Sequence, residues 1–395
     1  MLSRRAASLK PSPTLAISAK EKALKAQGID IAGFGAGEPD FNTPDHIKEA
    51  AIKAINDNFT RYTPVAGIDP LKDAVIDKFN RDNQLSYKRE EIIISCGGKH
   101  SLYNLFQVLF QEGDEVIVPA PFWVSYPPMI ELAGGTPVIM ETREEDDYQV
   151  TAELLKKYLT PKTKAIVLNY PSNPVGSVYY RDNLEAIGKL AVEHNFFLIS
   201  DEIYEKLVYD YEHVSIAALD PSFKQRTIIC HGVGKTYAMT GWRIGYTAGP
   251  ADIIKAMGNI QSQSTSNPTS IAQMAAVAAL NGDQSCIGTM VSEFRKRKDF
   301  LVKGLRDIPG VTCYDPRGAF YVFPNFNCVI GKRYNDRVIE NSTVWTEVLL
   351  DEFHTAVVPG VEFGKEGYLR LSFATSMDII EKGLARINRA VSSLK

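Results

Sequence analysis

The sequence predicts an α/β fold: a large unit with a mainly parallel, seven-stranded sheet sandwiched by helices, then a smaller α+β unit. Three observations carry this. Seven apolar, strand-like runs recur at 91–95, 115–119, 136–140, 164–168, 196–200, 227–230 and 244–248. Helical patterns lie between most of them, at 102–110, 124–132, 152–159 and 183–194. Such alternation means crossover connections and helices on both faces of one sheet. After about Ser292 the alternation stops. A long helical pattern leads into short strands near 312–314, 319–322 and 368–373, then a terminal helix over 377–393.

Each earlier element has a local reason. The prolines near Lys10 predict an extended lead into a helix over 17–27. The strand-like 29–32 runs into Gly33, Gly35 and Gly37. A dinucleotide loop needs a glycine where Glu38 stands, and Pro39 forbids an immediate helix. Those glycines instead suit close approach of a ligand to the backbone. Thr43 and Pro44 predict a capped helix reaching about Asn56, and 71–79 reads as helical.

The bulk numbers exclude several classes. The chain has 395 residues, long enough for two domains with a sizeable core. Its 44 Lys and Arg nearly balance its 47 Asp and Glu, for a net charge of −3. That argues against nucleic acid or a membrane surface as partner. The run Arg295-Lys296-Arg297-Lys298 reads as a solvated helix face. Five cysteines stand without metal-ligand spacing, which suits a reducing, cytoplasmic setting. The six histidines form no H-x-x-x-H pair, so no metal is expected.

Ligands of such sheets bind beyond the carboxyl ends of the strands. The loops there carry the chemistry. Lys235 follows the run 227–230 on a glycine-opened turn. A lysine in a dry or cationic setting has a lowered pKa and becomes an amine nucleophile. Gly234-Lys235-Thr236 also reads as the end of a phosphate loop, but Ile229 stands where that loop needs glycine. Gly97, Gly98 and Lys99 open a helix and make an anion site, to which Arg243 adds a cation. Trp123 offers a flat face, although a tryptophan after Pro121-Phe122 is more often a core residue than a stacking plate. Asp201, at a strand end, suits a protonated ring nitrogen or a helix cap. Tyr204 and Asn173 offer hydrogen bonds to a phenolate oxygen, although Asn173-Pro174 is also a turn signal. Together these groups describe a site for pyridoxal 5'-phosphate.

At this point the chain resembles the fold-type I, pyridoxal-phosphate-dependent aminotransferases, and within them the bacterial-type aspartate aminotransferases, some of which act on prephenate. The resemblance runs nearly end to end. It rests on KPSPTLA (10–16), GAGEPDFNTP (35–44), RYTPVAG (61–67), GGKHSLYN (97–104), PAPFWVSYP (119–127), PSNPVG (171–176), SDEIYE (200–205), KTYAMTGWRIGY (235–246), RGAFYVFP (317–324) and LRLSFATS (369–376). It implies that Lys235 joins the cofactor and moves the proton, and that Asp201 partners the ring nitrogen. Tyr204 and Asn173 would hold the ring oxygen, and Trp123 would stack on the ring. Arg243 and the Gly97–Lys99 loop would hold the phosphate, with Tyr62 reaching it across a homodimer interface. Arg370 and the Gly37 backbone would take the substrate α-carboxylate. Ser12, Thr14 and Lys99 would handle a distal carboxylate. The resemblance also implies three segments: 1–44 joining the small domain, a large domain at 45–292, and a small C-terminal domain at 293–395.

Three positions depart from the family pattern. Val175 replaces threonine, Gly234 replaces serine, and Tyr170 stands where serine is common, so that its ring is expected to crowd the ligand. The resemblance implies amino transfer between aspartate or glutamate and their 2-oxo acids. A prephenate, aromatic or kynurenine transaminase, a β-lyase, and a non-catalytic relative remain open alternatives.

Overall fold

A computed structural model describes residues 2–9 and 13–395. Its central sheet has seven strands: β1 (Ile92–Ser95), β2 (Glu115–Ala120), β3 (Thr136–Glu141), β4 (Thr163–Asn169), β5 (Phe197–Asp201), β6 (Thr227–Gly232) and β7 (Gly245–Ala248). Their order is β1-β7-β6-β5-β4-β2-β3. All neighbours are parallel except that β7 runs antiparallel to both β1 and β6. The expected strands lie within a residue or two of these.

The apolar runs are continuous because both sheet faces are covered. Ile93, Val116, Val118, Val167, Ile199 and Ile228 face the helices Gly98–Leu109, Tyr126–Leu132 and Ala251–Ser262. The alternate residues Ile117, Ile166, Leu168 and Leu198 face Arg181–Glu193. Ile92, Ile94 and Ile229 meet Asp45–Asn56, Asp69–Asn83 and Ser270–Asn281 on that side. The period of two thus sends successive side chains into opposite cores.

A second core gathers Phe34, Phe294, Phe320, Trp345, Phe373 and Ile380. It packs the helices Ser285–Arg306, Ser342–Asp351 and Met377–Ser392 around an antiparallel sheet. That sheet comprises β8 (Tyr321–Val322), β9 (Val358–Pro359) and β10 (Leu369–Ser372), with β10 in the middle. The N-terminal chain joins it, because Ala32–Gly33 pairs in parallel with Thr355–Ala356. Among the described residues, no helix is long and apolar enough to cross a membrane.

Three local expectations are corrected. The first long helix starts at Pro13, since proline fits the first turn where its missing N–H is not needed. Thr43 does not cap the helix Asp45–Asn56; its hydroxyl donates to Ala238 O at 2.7 Å and accepts from Trp242 Nε1 at 3.0 Å. The basic run is only half a solvated face. Arg297 and Lys298 are buried, with Arg297 bonded to Asp40 at 2.8 Å and Lys298 to Asp315 at 2.7 Å.

Candidate active site

The candidate site lies at the carboxyl ends of β4, β5 and β6, where the second core meets the sheet. Asp201 is the last residue of β5 and is buried. Its Oδ2 accepts a hydrogen bond from the Tyr126 phenol at 2.6 Å, and its Oδ1 accepts from the Ile203 N–H at 3.3 Å. Burial nevertheless pushes its carboxyl up to about 6, because no cation is bonded to it among the described residues to offset the lost hydration. Asn169, at the end of β4, ties the wall together. Its Nδ2 donates to Asp201 O at 3.0 Å, and its Oδ1 accepts from the Asn173 N–H at 2.8 Å.

Tyr204 follows on the loop after β5, with its hydroxyl 3.0 Å from that of Tyr321 on β8. The loop is anchored from behind by two buried carboxylates. Glu202 accepts from Ser200 and Ser215, both at 2.7 Å, and meets His213 at 3.0 Å. Burial disfavours its charge, but His213 keeps its pKa below the ordinary value. Glu205 pairs with the buried Lys78 ammonium and accepts from Asn83 at 3.0 Å. These carboxylates and His213 converge, yet the Lys78 ammonium and the hydrogen bonds from Ser200, Ser215 and Asn83 already satisfy the two carboxylates, so the cluster reads as an anchor.

Lys235 stands on the turn after β6, half-buried, with its Nζ donating to Gly37 O. Burial lowers its pKa to about 8, assisted by Arg370 and Arg243 and opposed by Glu38. Arg370, on β10, is buried. It donates to Asn173 Oδ1 at 3.2 Å and to Gly35 O at 2.9 Å, and its Nε has no hydrogen-bond partner among the described residues. The Tyr321 and Phe363 rings flank its guanidinium at 4.7 and 5.1 Å. No carboxylate pairs with it among the described residues.

The sequence-predicted anion site lies where Arg243 meets the start of a helix. Gly97 precedes the helix Gly98–Leu109 with φ of 92°, and a Cβ there would fall 2.4 Å from the Arg243 guanidinium. Only glycine admits both the turn and the arginine. Arg243 donates to Thr240 O at 2.9 Å and to Cys96 O at 3.3 Å. Lys99 places its ammonium 4.9 Å from the Trp123 ring centre, and burial of its stem, then Arg243, lowers its pKa.

A family profile for aminotransferase class I and II matches residues 29–387. The chain belongs to the class I and II aminotransferases. An aspartate aminotransferase of Geobacillus stearothermophilus is 51% identical over 392 residues, covering 98% of each chain. An aspartate/prephenate aminotransferase of Nitrosomonas europaea is 49% identical, over 99% of this chain and 100% of its own. The solved aspartate aminotransferase of Rhizobium meliloti superposes with a TM-score of 0.96 at 40% identity, covering all of both chains. That of Thermus thermophilus with maleate gives 0.93 at 44% identity, over 98% of this chain and 99% of that one.

This aminotransferase family works with pyridoxal 5'-phosphate on amino and 2-oxo acids. The donor set fits that group. It has a buried anion for a ring cation, a helix start with an arginine for a phosphate, and an amine of lowered pKa for an aldehyde. Among the sequence-predicted residues, Lys235, Asp201, Tyr204, Asn173, Arg370 and Gly37 are linked directly or through Asn169, Tyr321 and Gly35. Gly97, Gly98, Lys99, Arg243 and Trp123 form the adjoining wall. Tyr62 is 91% exposed, and among the described residues it makes no hydrogen bond to any of them. Ser12 lies outside the described residues, as does the Thr14 side chain.

The departures resolve differently. Tyr170 does not crowd the site. Its ring stacks on His213, and its hydroxyl meets Ser200 and the Ile216 N–H, at the Glu202 anchor. Val175 is buried with Phe323, Tyr314 and Tyr368, where an apolar side chain packs well. Sequence reasoning assigned no role to Tyr126, Asn169, Tyr321 or Glu38. Tyr126 sits three residues after Trp123, and Tyr321 lies inside RGAFYVFP. Glu38 accepts from Thr240 at 2.6 Å.

Proposed function

We propose that this aminotransferase moves the amino group between aspartate or glutamate and their 2-oxo acids, in two half-reactions on one site. The observation that carries the substrate class is Arg370: a buried guanidinium that has, among the described residues, no hydrogen-bond partner for its Nε and no paired carboxylate. A substrate α-carboxylate supplies the missing charge and acceptors, with the Gly37 backbone nearby. Lys99, exposed at the Trp123 edge, is the cation we assign to a distal carboxylate, together with Ser12 and Thr14. The Thermus thermophilus relative solved with maleate, a dicarboxylate, supports this reading.

On the same reading, Arg243 and the Gly97–Lys99 helix start hold the phosphate. Asp201 meets the ring nitrogen, Tyr204 and Asn173 the ring oxygen, and Trp123 covers the ring face. Bound pyridoxal phosphate supplies the electron sink that lets the substrate Cα–H bond break. Lys235 Nζ takes that proton as general base and returns it as general acid, a task suited to a pKa near 8. Burial of Asp201 and Arg370 excludes water and strengthens both contacts.

The proposal extends to assembly. Tyr62 stands exposed near a run of exposed apolar residues, Ile52, Ile55 and Phe59. These exposed apolar side chains support a homodimer that covers them, in which Tyr62 serves the partner's phosphate site. The pairing of Ala32–Gly33 with Thr355–Ala356 supports a domain division into 1–44 with 293–395, against 45–292. Five unpaired cysteines suit a reducing, cytoplasmic setting.

Prephenate is the second reading, favoured by the name of the Nitrosomonas europaea relative. A side-by-side assay on aspartate, prephenate, kynurenine and phenylalanine separates them. Lys99→Ala is expected to lower kcat/KM for aspartate by ~10–100-fold while sparing phenylalanine. An unchanged preference removes Lys99 from the distal-carboxylate role.

A further inference from the structure

Asp201 depends on a residue that the reaction itself does not call upon. Tyr126 is buried at the first position of the helix Tyr126–Leu132, with its backbone N–H bonded to Trp123 O at 3.0 Å. Its ring meets Trp123 edge to face, with centroids 5.2 Å apart and planes at 82°. The phenol is therefore aimed by a helix start and by a neighbouring ring. It makes one side-chain hydrogen bond, 2.6 Å to Asp201 Oδ2. A short O–H···O bond of this kind favours the carboxylate over the carboxylic acid.

The other groups facing Asp201 do not replace it. Glu202, next in the chain, opposes a second negative charge, and Lys235 favours one. Tyr204 on the same loop and Cys230 on β6 are neutral, since burial raises both above their ordinary values. Lys235 is the one cation in this group, and its proton is lost as its amine is used. What remains throughout is the phenol of Tyr126 and the Ile203 N–H.

We propose that Tyr126 is a positioning residue for the cofactor site, whose hydroxyl holds Asp201 as an oriented carboxylate against burial. This rests on the reading that Asp201 meets the cofactor ring nitrogen. It also makes the strand 115–120 and its following loop a carrier of two contacts: Trp123 for the ring face and Tyr126 for the anion behind the ring edge.

The test uses Tyr126→Phe, which deletes one oxygen and keeps the ring. Binding of pyridoxal phosphate to the apoprotein is measured from pH 5 to 9 by absorbance. Each curve is read as a ratio to Asp201→Asn, which cancels the titration of the cofactor itself. The wild-type ratio should fall as Asp201 protonates near pH 6. In Tyr126→Phe that fall should move up by ~1–2 pH units, so the loss is larger at pH 6.5 than at pH 8.5. A uniform loss at every pH, or no change, overturns the inference.

A second measurement needs no cofactor. Asp201 is raised in the folded chain, so it favours folding below about pH 4, and this contribution is lost as pH rises through about 6. The melting temperature of each apoprotein, relative to Asp201→Asn, should trace that loss. In Tyr126→Phe the loss should extend to higher pH; an unmoved midpoint overturns the inference. If Asp201→Asn leaves cofactor binding unaltered at all pH values, the ring-nitrogen reading fails, while the apoprotein titration still judges Tyr126.

Discussion

The two walls of the site are built on different terms. On the wall assigned to the cofactor, Asp201, Tyr126, Tyr204 and Tyr321 are buried and bonded to other side chains. On the wall assigned to the substrate, Lys235 and Arg370 point their donors at backbone carbonyls of one strap, Gly37 O and Gly35 O. Arg370 Nε has no hydrogen-bond partner among the described residues, and Lys99 stands exposed. A resident group needs fixed partners, made once and kept. A passing substrate needs donors whose present acceptors are weak enough to exchange, and a neutral carbonyl loses to a carboxylate. At the ring end of the site the contrast separates a held group from a released one; Arg243, assigned to the phosphate, also meets backbone carbonyls, and Arg370 also meets the Asn173 side chain, so the two walls grade into each other there.

Lys235 belongs to both walls, so its loss should be the largest. Lys235→Ala is expected to lower kcat by ~10⁴-fold or more, measured over multiple turnovers, since the general base and amine nucleophile vanish together. Appreciable turnover would break the assignment of both walls. Next is Arg370→Lys. The replacement keeps the charge but not the fork that reaches Asn173 and Gly35 together. We expect kcat/KM for aspartate to fall by ~10²–10³-fold with cofactor absorbance preserved. Loss of cofactor instead would show that the walls are one unit.

A smaller effect sharpens the role of the strap. The Glu38 carboxylate, held by Thr240, raises the proton affinity of Lys235 against the burial that lowers it. Glu38→Gln removes that support, so the amine pKa should fall below about 8. The rate of cofactor uptake by the apoprotein drops in acid as the amine protonates. In the variant this drop should lie lower, by ~0.5–1 pH unit. An unmoved profile would mean that the strap touches Lys235 only through its backbone.

Much of the cofactor wall was legible in the sequence because strand ends are. Five-residue apolar runs ending in Asp201 or in the Gly97 turn announce a sheet, and the sheet announces where its ligand lies. The hidden parts depend on contacts between distant segments. Nothing local to Tyr126 says that its phenol reaches Asp201, and Tyr321 meets Tyr204 only because β8 docks on the second core. The same limit explains the errors. Arg297 and Lys298 look solvated until Asp40 and Asp315, far apart in the chain, arrive beside them. Tyr170 looked obstructive because its backbone position was readable and its side-chain direction was not. The strap was visible as a glycine pattern, but its use as a stand-in acceptor was not.

The last prediction concerns Gly234, where the family pattern has a hydroxyl residue. Position 234 does not need glycine for space: a Cβ would meet Thr240 Cα at 3.6 Å, an ordinary contact. Nor does its backbone require positive φ. Gly234→Ser should therefore restrict the unfolded chain without straining the folded one, stabilising the apoprotein by ~0.4–1 kcal/mol in thermal melts. If the added hydroxyl also reaches the phosphate beside the Gly97 turn, cofactor affinity should rise by ~3–10-fold, as one neutral hydrogen bond contributes. Stability without affinity would mean that position 234 takes no part in holding the phosphate. A rise in both would mean that even the wall made for the resident group was left one bond short.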